Sequence, residues 1–490
     1  MTILASLNQS FTDVTADSRA VVQGGLFLAY PGEQNDGRKY IDKAIKAGAA
    51  CILWESASSP EKQFHWQAAW KVSNLAVENL KQKVGDIAAE FYQHPSKQCA
   101  VIGVTGTNGK TSVSQWIAQC LTILGKKTAV IGTIGNGFVE AQQPATNTTP
   151  DAILLQKMLA AFVKDGATNV AMEVSSHGLA QGRVSGVAFD VAILTNLTRD
   201  HLDYHQTMEA YAAAKQQLFD WPYLRVAILN ADDDFGVSIM QTYEDSKKGY
   251  LSYGMGIYKS HVHGSDLKLH ANGLSMKVQT PKGEGLLQAN VLGEFNAYNV
   301  LAVLATLLSL EIDLKAALSA ISQIQPVAGR MQQMGGGTQS LVVVDYAHTP
   351  DALEKVLTTL RQQMQAEQRL ICVFGCGGDR DVGKRPLMGN VATKYADVTV
   401  VTSDNPRSES PEAIIQDIIN TLTGSVEVEM DRAKAIFKAI TLANAGDIVL
   451  IAGKGHENYQ EILGVKYPFS DVDVAKAALK QLQQAQAVMP

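Results

Sequence analysis

Short apolar runs alternate with helically spaced segments along most of the chain. In residues 1–88 the apolar runs at 25–30 and 49–54 flank a helical pattern at 42–47, which predicts a small α/β unit. After the polar stretch His94-Pro95-Ser96-Lys97 the pattern becomes a strand at 99–105, a glycine turn and a helix at 110–124 stopped by Gly125. Further strand-like runs at 128–131, 169–174, 187–194 and 226–229 are separated by helical stretches, the pattern of a mainly parallel sheet covered by helices. Thr149-Pro150-Asp151 reads as a helix start with Thr149 as the cap and Pro150 in the first turn. Between 250 and 292 the period falls to two around Asn272-Gly273 and Lys282-Gly283, predicting antiparallel hairpins before a helix at 294–310. Strand-like runs resume at 341–344, 370–374, 398–401 and 448–451, each followed by a glycine-rich or polar loop. The expected fold is therefore α/β in three domains, 1–88, 89–329 and 330–490, which agrees with the 490-residue length.

Composition changes this picture little. Lys and Arg total 42 against 48 Asp and Glu, with no basic block, which disfavours nucleic acid or an anionic membrane as the main partner. The N-terminus lacks a charged leader with an apolar core, and no run reaches the length of a membrane span, so a cytoplasmic location is expected. Cys51, Cys99, Cys120, Cys372 and Cys376 are odd in number and contain no CxxC pair, which predicts reduced core thiols.

The strongest chemical signal is Val104-Thr105-Gly106-Thr107-Asn108-Gly109-Lys110-Thr111-Ser112, between a strand and a helix. Backbone N–H groups of such a loop cradle phosphates, Lys110 reaches the β and γ oxygens, and the Thr111 hydroxyl suits Mg²⁺. The string departs from GxxxxGK[ST], since Val104 stands where the first glycine belongs and Gly103 precedes it. Glu173 closes a predicted strand level with this loop, where a hard carboxylate oxygen also suits Mg²⁺. Phosphate binding alone leaves a switch, a motor and a transferase open. Taken alone, Lys215 in the helical stretch 208–219 reads as a solvated lysine and His201 as a loop histidine.

Several strings occur in order with the phosphate loop: Asn147-Thr148-Thr149-Pro150, Glu173-Val-Ser-Ser-His-Gly178, Thr195-Asn-Leu-Thr-Arg-Asp-His-Leu-Asp203, Gly293-Glu-Phe-Asn296, Gly329-Arg330 and Asp345-Tyr-Ala-His-Thr-Pro350. With Gly106-Thr-Asn-Gly-Lys-Thr111 they resemble the Mur ligase family, three-domain enzymes that add amino acids to the peptidoglycan precursor. The resemblance covers nearly the whole chain. It implies a small uridine-binding α/β domain, a central P-loop ATPase-like domain and a Rossmann-like C-terminal domain. It implies that His201 is a second metal ligand and that Lys215 is carbamylated by CO₂ (an N6-carboxylysine), replacing a cation by an anionic oxygen donor for a second Mg²⁺. Gly106 to Ser112, Asn296, Arg330 and Asp345 would contact ATP. Asn296 is expected at the adenine edge, Arg330 at the phosphates, and Asp345 at the ribose or orienting Arg330.

By the same resemblance, Ser18, Glu33, Gln34 and Asn35 would face the uridine nucleotide. Asn147, Thr148, Thr149, Ser175, Gln181 and Arg183 would grip the muramoyl peptide. In the third domain, Gly375-Cys-Gly-Gly-Asp-Arg380, Ser403-Asp404-Asn405-Pro406-Arg407 and Gly453-Lys-Gly-His-Glu457 each follow a predicted strand, so they should meet at the carboxyl edge of one sheet. Asp404-Asn405-Pro406-Arg407 resembles the motif of the members that add meso-diaminopimelate rather than lysine. Diaminopimelate is lysine with a second carboxylate, which a guanidinium grips with two parallel hydrogen bonds. Arg407 is assigned to that carboxylate, Arg380 to another, and Glu457 with the Gly453 carbonyl to the distal ammonium. The implied reaction joins UDP-MurNAc-L-Ala-D-Glu and meso-diaminopimelate at the expense of ATP through an acyl phosphate, by a monomeric enzyme. A lysine-adding ligase is the nearer alternative. A folylpolyglutamate synthetase-like ligase, which lacks such an N-terminal domain, and a nucleotide-dependent switch rank lower.

Overall fold

The run at 25–30 becomes the strand Leu26–Ala29, buried along its length because both faces of its sheet are covered. Leu26 and Leu28 pack on Val84, Ile87 and Ala88 of the helix Leu80–Phe91, while Phe27 and Ala29 pack on Ile41 and Ala44 of the helix Ile41–Lys46. Successive side chains of a strand point to opposite faces, which explains a continuous apolar run. The strands Val14–Thr15, Leu26–Ala29, Cys51–Ser56 and Ser73–Glu78 pair in parallel in that order. This is a computed structural model, and it describes residues 2–32, 35–56, 64–256, 259–270, 273–422 and 426–488.

By packing, the chain divides into two compact units. One comprises Met1–Gly103, Lys126–Ala192 and Gln217–Arg225, the other Val104–Gly125, Ile193–Gln216 and Val226–Pro490. In the first unit the strand Thr128–Ile131 pairs in parallel with Asn169–Glu173 and antiparallel with Asn136–Phe138. The helix Ala152–Lys164 follows the Thr-Pro-Asp string, but its cap is Asp151 and not Thr149. The Asp151 carboxylate accepts from the N–H groups of Ile153 and Leu154 at 3.1 and 3.0 Å, whereas the Thr149 hydroxyl is turned to Glu173 and Ser175. The run at 187–194 is strand only over Val191–Leu194. Upstream, the Val187 N–H closes a turn on Val184 O and its carbonyl accepts from the Trp221 indole, so its backbone does not join a ladder.

In the second unit the helix Lys110–Ile123 ends where expected, with Gly125 at φ +76° in the left-handed region. Val226–Asn230 and Tyr250–Gly254 pair in parallel, and Val262–His270, Gly273–Thr280 and Gly283–Ala289 form the expected hairpins; Asn272 lies outside the described residues. These strands belong to an 11-stranded sheet, and the almost wholly buried helix Glu294–Ser309 follows. The last sheet has six strands in the order Gln332–Gly335, Leu341–Asp345, Ile448–Ala452, Leu370–Phe374, Val398–Val401 and Glu427–Val428. All pairs are parallel except that of the first, edge strand. Val343, Cys372, Phe374 and Leu450 face one helical layer, and Val342, Val344, Ile371, Val449 and Ile451 the other.

All five cysteines are free thiols; four are buried and Cys99 is half-buried. Among the described residues no helix is long and apolar enough to cross a membrane.

Under the carboxyl edge of this last sheet, Arg432 and Asp471 form an ion pair at 2.7 Å with neither side chain exposed. The guanidinium also donates to Ala452 O at 2.9 Å, so it ties two helix starts to a strand end. Removing one partner strands a buried charge. Asp471→Ala is expected to cost about 3–5 kcal/mol, read as a fall in the urea midpoint; a loss under about 1 kcal/mol would mean that water reaches the guanidinium.

Candidate active site

The phosphate loop needs its glycines. Gly106 and Gly109 take φ of +144° and +87°, and a Cβ on Gly106 would stand 1.8 Å from Thr195 Oγ1. The loop is braced from the chain at 195–198: Thr107 N–H donates to Asn196 O at 2.8 Å, Asn108 N–H to Asn196 Oδ1 at 3.0 Å, and Thr195 Oγ1 to Asn108 O at 2.6 Å. Lys110 Nζ donates to the carbonyls of Gly106 and Thr107, both at 2.9 Å, and the Thr111 and Ser112 side chains are buried at the start of the helix.

Lys215 lies on the helix Met208–Phe219, as expected, but it is buried and not solvated. Its Nζ donates to Gly106 O at 2.8 Å and sits 4.5 Å from the centre of the Tyr211 ring. Lys110 and Lys215 therefore share one carbonyl. Burial, and next the charge of Lys110, push the Lys215 amine well below its ordinary pKa, with Asp200 acting in the opposite sense.

Asp200 is nearly fully buried, 3.2 Å from His201 Nε2, 3.6 Å from His348 Nε2 and 3.8 Å from Lys384 Nζ. Burial would raise its pKa, but the neighbouring His348, then His201 and Lys384, outweigh it and hold the carboxyl well below its usual range. Arg330 donates from Nη2 to Thr111 Oγ1 at 3.0 Å, its guanidinium 4.3 Å from the centre of the Tyr346 ring. Asn108 Nδ2 donates to Asp351 Oδ2 at 3.0 Å, and Arg199 pairs with Asp381 at 3.1 Å.

Asp345 is spent on backbone: Oδ2 accepts from Met331 N–H at 2.7 Å and Oδ1 from Ala347 N–H at 2.8 Å. It thereby shapes the chain beside Arg330. Asn296 is buried, donating to Leu292 O at 2.8 Å and accepting from Asn299 at 2.9 Å.

In the first unit, Glu173 accepts from Thr133 N–H at 2.7 Å and from the Thr133 hydroxyl at 3.0 Å; that hydroxyl also lies 3.0 Å from Thr148 Oγ1. Thr149 Oγ1 accepts from Ser175 N–H at 3.0 Å, and Ser175 Oγ caps the helix Ser176–Ala180. Arg183 donates to Gln181 Oε1 at 2.8 Å and to Thr149 O at 2.9 Å. The structure thus gathers Glu173, Thr148, Thr149, Ser175, Gln181 and Arg183, with Asn147 exposed next to them in sequence. Ser18 is buried and Asn35 exposed; Glu33 and Gln34 lie outside the described residues.

The third-domain loops meet as the strand order requires. Gly378 N–H donates to Asn405 O at 2.9 Å, and Arg407 Nη1 to Gly378 O at 2.7 Å. Gly453 takes φ +116°, and a Cβ there would lie 2.7 Å from Asp404 Oδ2. Asp404 is buried, yet Lys454, then Arg432 and Arg407, hold its carboxyl below the ordinary range against the opposing effect of burial. Arg407 itself takes φ +52° and is pinned on both backbone groups by the hairpin Tyr459–Ile462 and Val465–Pro468: its N–H donates to Glu461 O at 3.0 Å, and its carbonyl accepts from Leu463 N–H at 2.7 Å. Glu461 Oε2 stands 3.4 Å from Arg407 Nε. Arg380 is exposed and donates to Asp379 O; it and Arg407 flank Gly377.

Asp200, His348, Lys384, Lys454 and Glu461 were not singled out from the sequence. Asp200, His348 and Lys454 lie inside motifs quoted above, but only tertiary contact gives them partners.

A glycine-rich loop between strand and helix, whose Lys110 shares one carbonyl with the buried Lys215, marks a nucleotide-binding α/β protein, and comparison with known proteins gives its family. The Mur ligase family, catalytic domain matches residues 10–92, the Mur ligase middle domain 104–307 and the Mur ligase, glutamate ligase domain 329–455. The chain belongs to the Mur ligase family and has its three-domain α/β architecture. It is 50% identical over 478 residues to a UDP-N-acetylmuramoyl-L-alanyl-D-glutamate--2,6-diaminopimelate ligase of Chromobacterium violaceum, covering 97% of this chain and 96% of that protein. An enzyme of the same name from Pseudomonas aeruginosa is 47% identical, with 97% and 98% covered. A solved structure of that name matches with TM-score 0.69 at 36% identity, covering 97% of this chain and 96% of the other. The MurF ligase of Thermotoga maritima in complex with ADP, 16% identical with TM-score 0.65 over 99% and 100% of the two chains, shares the fold.

Proposed function

We propose that this chain is the ATP-dependent ligase that joins meso-diaminopimelate to the D-glutamate γ-carboxylate of UDP-MurNAc-L-Ala-D-Glu in peptidoglycan precursor synthesis. The relatives that carry this name match almost end to end. The observation that carries the reading is the tie between phosphate loop and third domain: Arg330 bonds Thr111, and Asp351 bonds Asn108. An acyl group activated at the loop is thereby available to an amine held in the third domain.

Chemically, a γ-carboxylate oxygen attacks the γ-phosphorus of ATP, and the bond to the β,γ-bridging oxygen breaks to release ADP. The amine of diaminopimelate then attacks the acyl-phosphate carbonyl; the C–N bond forms, phosphate leaves and the nitrogen loses a proton. Lys110 and Arg330 offset phosphate charge, since phosphoryl transfer depends chiefly on positioning and electrostatics. Gly106 to Ser112, Asn296 and Asp345 shape the ATP site. Ser18 and residues 33–35 serve the uridine end, and Asn147, Thr148, Thr149, Ser175, Gln181 and Arg183 the muramoyl peptide. Arg380, Arg407, Asp404, Asn405, Pro406, Gly453 and Glu457 receive diaminopimelate. We divide the chain at 88/89 and 329/330 and assign it, as a monomer, to the cytoplasm.

Lys215 fits carboxylation: burial, and next the charge of Lys110, press its amine toward the unprotonated form, which is the form that attacks CO₂ with loss of a proton. Among the described residues no group of three or more His, Cys, Asp or Glu side chains is arranged to hold a metal ion by itself. Mg²⁺ in nucleotide sites usually keeps several waters and substrate phosphates as ligands and takes only a few from protein. Thr111, Glu173, His201 and the carboxylated Lys215 would hold two such ions, which when bound neutralise charge on the phosphates. With ¹⁸O in the γ-carboxylate of the dipeptide substrate, one label is expected to appear in the released phosphate; unlabelled phosphate would contradict the acyl phosphate.

A further inference from the structure

Lys454 follows the strand Ile448–Ala452 and is wholly buried. Its Nζ donates to Asn405 Oδ1 and to Glu457 Oε2, each at 2.9 Å, and lies 3.8 Å from Asp404 Oδ1. The same Glu457 oxygen accepts from Asn405 Nδ2 at 2.9 Å, and Asn405 Oδ1 also accepts from Glu461 N–H at 3.0 Å. A buried ammonium is tolerated only when acceptors surround it, and here the acceptors are the polar side chains of two neighbouring loops.

We propose that Lys454 is a positioning residue for the entering amino acid. It fixes the Asn405 amide in one orientation, with oxygen toward the ammonium and nitrogen toward Glu457. It also occupies Glu457 Oε2 jointly with Asn405, which leaves Oε1 as the oxygen that receives the substrate ammonium. The charge balance agrees. Asp404, Glu457, Glu461 and Asp471 set four carboxylates against Arg407, Arg432 and Lys454, so these seven groups together carry one net negative charge, which suits an incoming ammonium. Remove Lys454 and two carboxylates lose a shared counter-ion, and Glu457 loses a hydrogen bond that holds its orientation.

This inference rests on the assignment of the third-domain loops to diaminopimelate, and its test separates the two. In full-length protein, Lys454→Met is expected to raise KM for diaminopimelate about 10- to 100-fold while KM for ATP stays within about twofold. Lys454→Arg should recover part of that loss, because it keeps a buried cation. If Lys454→Met melts below the assay temperature, Lys454→Gln takes its place, since it keeps a hydrogen-bonding head without charge. An unchanged diaminopimelate KM in a folded, uncharged variant overturns the role, as does a parallel rise in both KM values. A wild-type enzyme that incorporates no diaminopimelate refutes instead the function assigned above.

Discussion

Lys215→Ala is expected to lower kcat on the order of 10³-fold or more with little change in the KM for diaminopimelate, because the group removed acts on the transferring phosphoryl and not on the entering amine. The physical basis is charge inversion. As an ammonium, Lys215 would stand with Lys110 on one carbonyl and repel any cation brought to the phosphates; as a carbamate it supplies two oxygens that share one negative charge. Acetate or bicarbonate at high concentration should restore part of the lost rate in the alanine variant, since the vacated volume admits a small carboxylate. A second readout is independent of turnover: with ¹³CO₂, a carbamate carbon resonance is expected in the wild type and not in Lys215→Ala. Activity within about tenfold of wild type would refute the role.

The second large effect is on amino-acid selection. Arg407→Ala should raise KM for diaminopimelate about 100-fold or more, the cost of leaving a carboxylate without its partner, while KM for ATP moves less than about threefold. Lysine, which lacks that carboxylate, should lose nothing, so the preference between the two amino acids collapses. Arg407→Lys should recover little, because a point charge does not reproduce a fork. The structure adds a constraint that the sequence did not contain. Nη1 is engaged by Gly378 O, and Nε faces Glu461, so Nη2 is the guanidinium nitrogen left to lead the contact with a substrate carboxylate. Equal effects on ATP and diaminopimelate would contradict this assignment.

Sequence pattern was most informative where structure is local. The strands Leu341–Asp345, Leu370–Phe374, Val398–Val401 and Ile448–Ala452, the phosphate loop with its helix, the helix Met208–Phe219 and the two hairpins all follow from periodicity and turn residues over a few positions. It failed where a side chain's fate depends on distant chain. Nothing around Lys215 in its alanine-rich stretch announces complete burial, because the burying surface includes the loop at Gly106 and the ring of Tyr211. Asp200 stands among polar neighbours in sequence, and His348 and Lys384, which lie far along the chain, reach it only in the fold. Lys454 is likewise a surface residue by type, and becomes a buried counter-ion only when its loop meets the loop of Asp404 and Asn405. The exchange of helix cap from Thr149 to Asp151 has the same origin: both side chains suit a cap, and the tertiary demand of Glu173 and Ser175 takes the threonine. Motif resemblance carried the site further than periodicity did, since it named positions whose partners lie far away in sequence.

The most direct test weighs the product. Purified protein would be given ATP, Mg²⁺, UDP-MurNAc-L-Ala-D-Glu and either meso-diaminopimelate or L-lysine, and the nucleotide product measured by mass spectrometry. The expected result is a species heavier than the substrate by diaminopimelate less one water, formed in step with ADP and phosphate, with little or no lysine adduct. A lysine adduct in preference, or ADP released without any amide, would contradict the account.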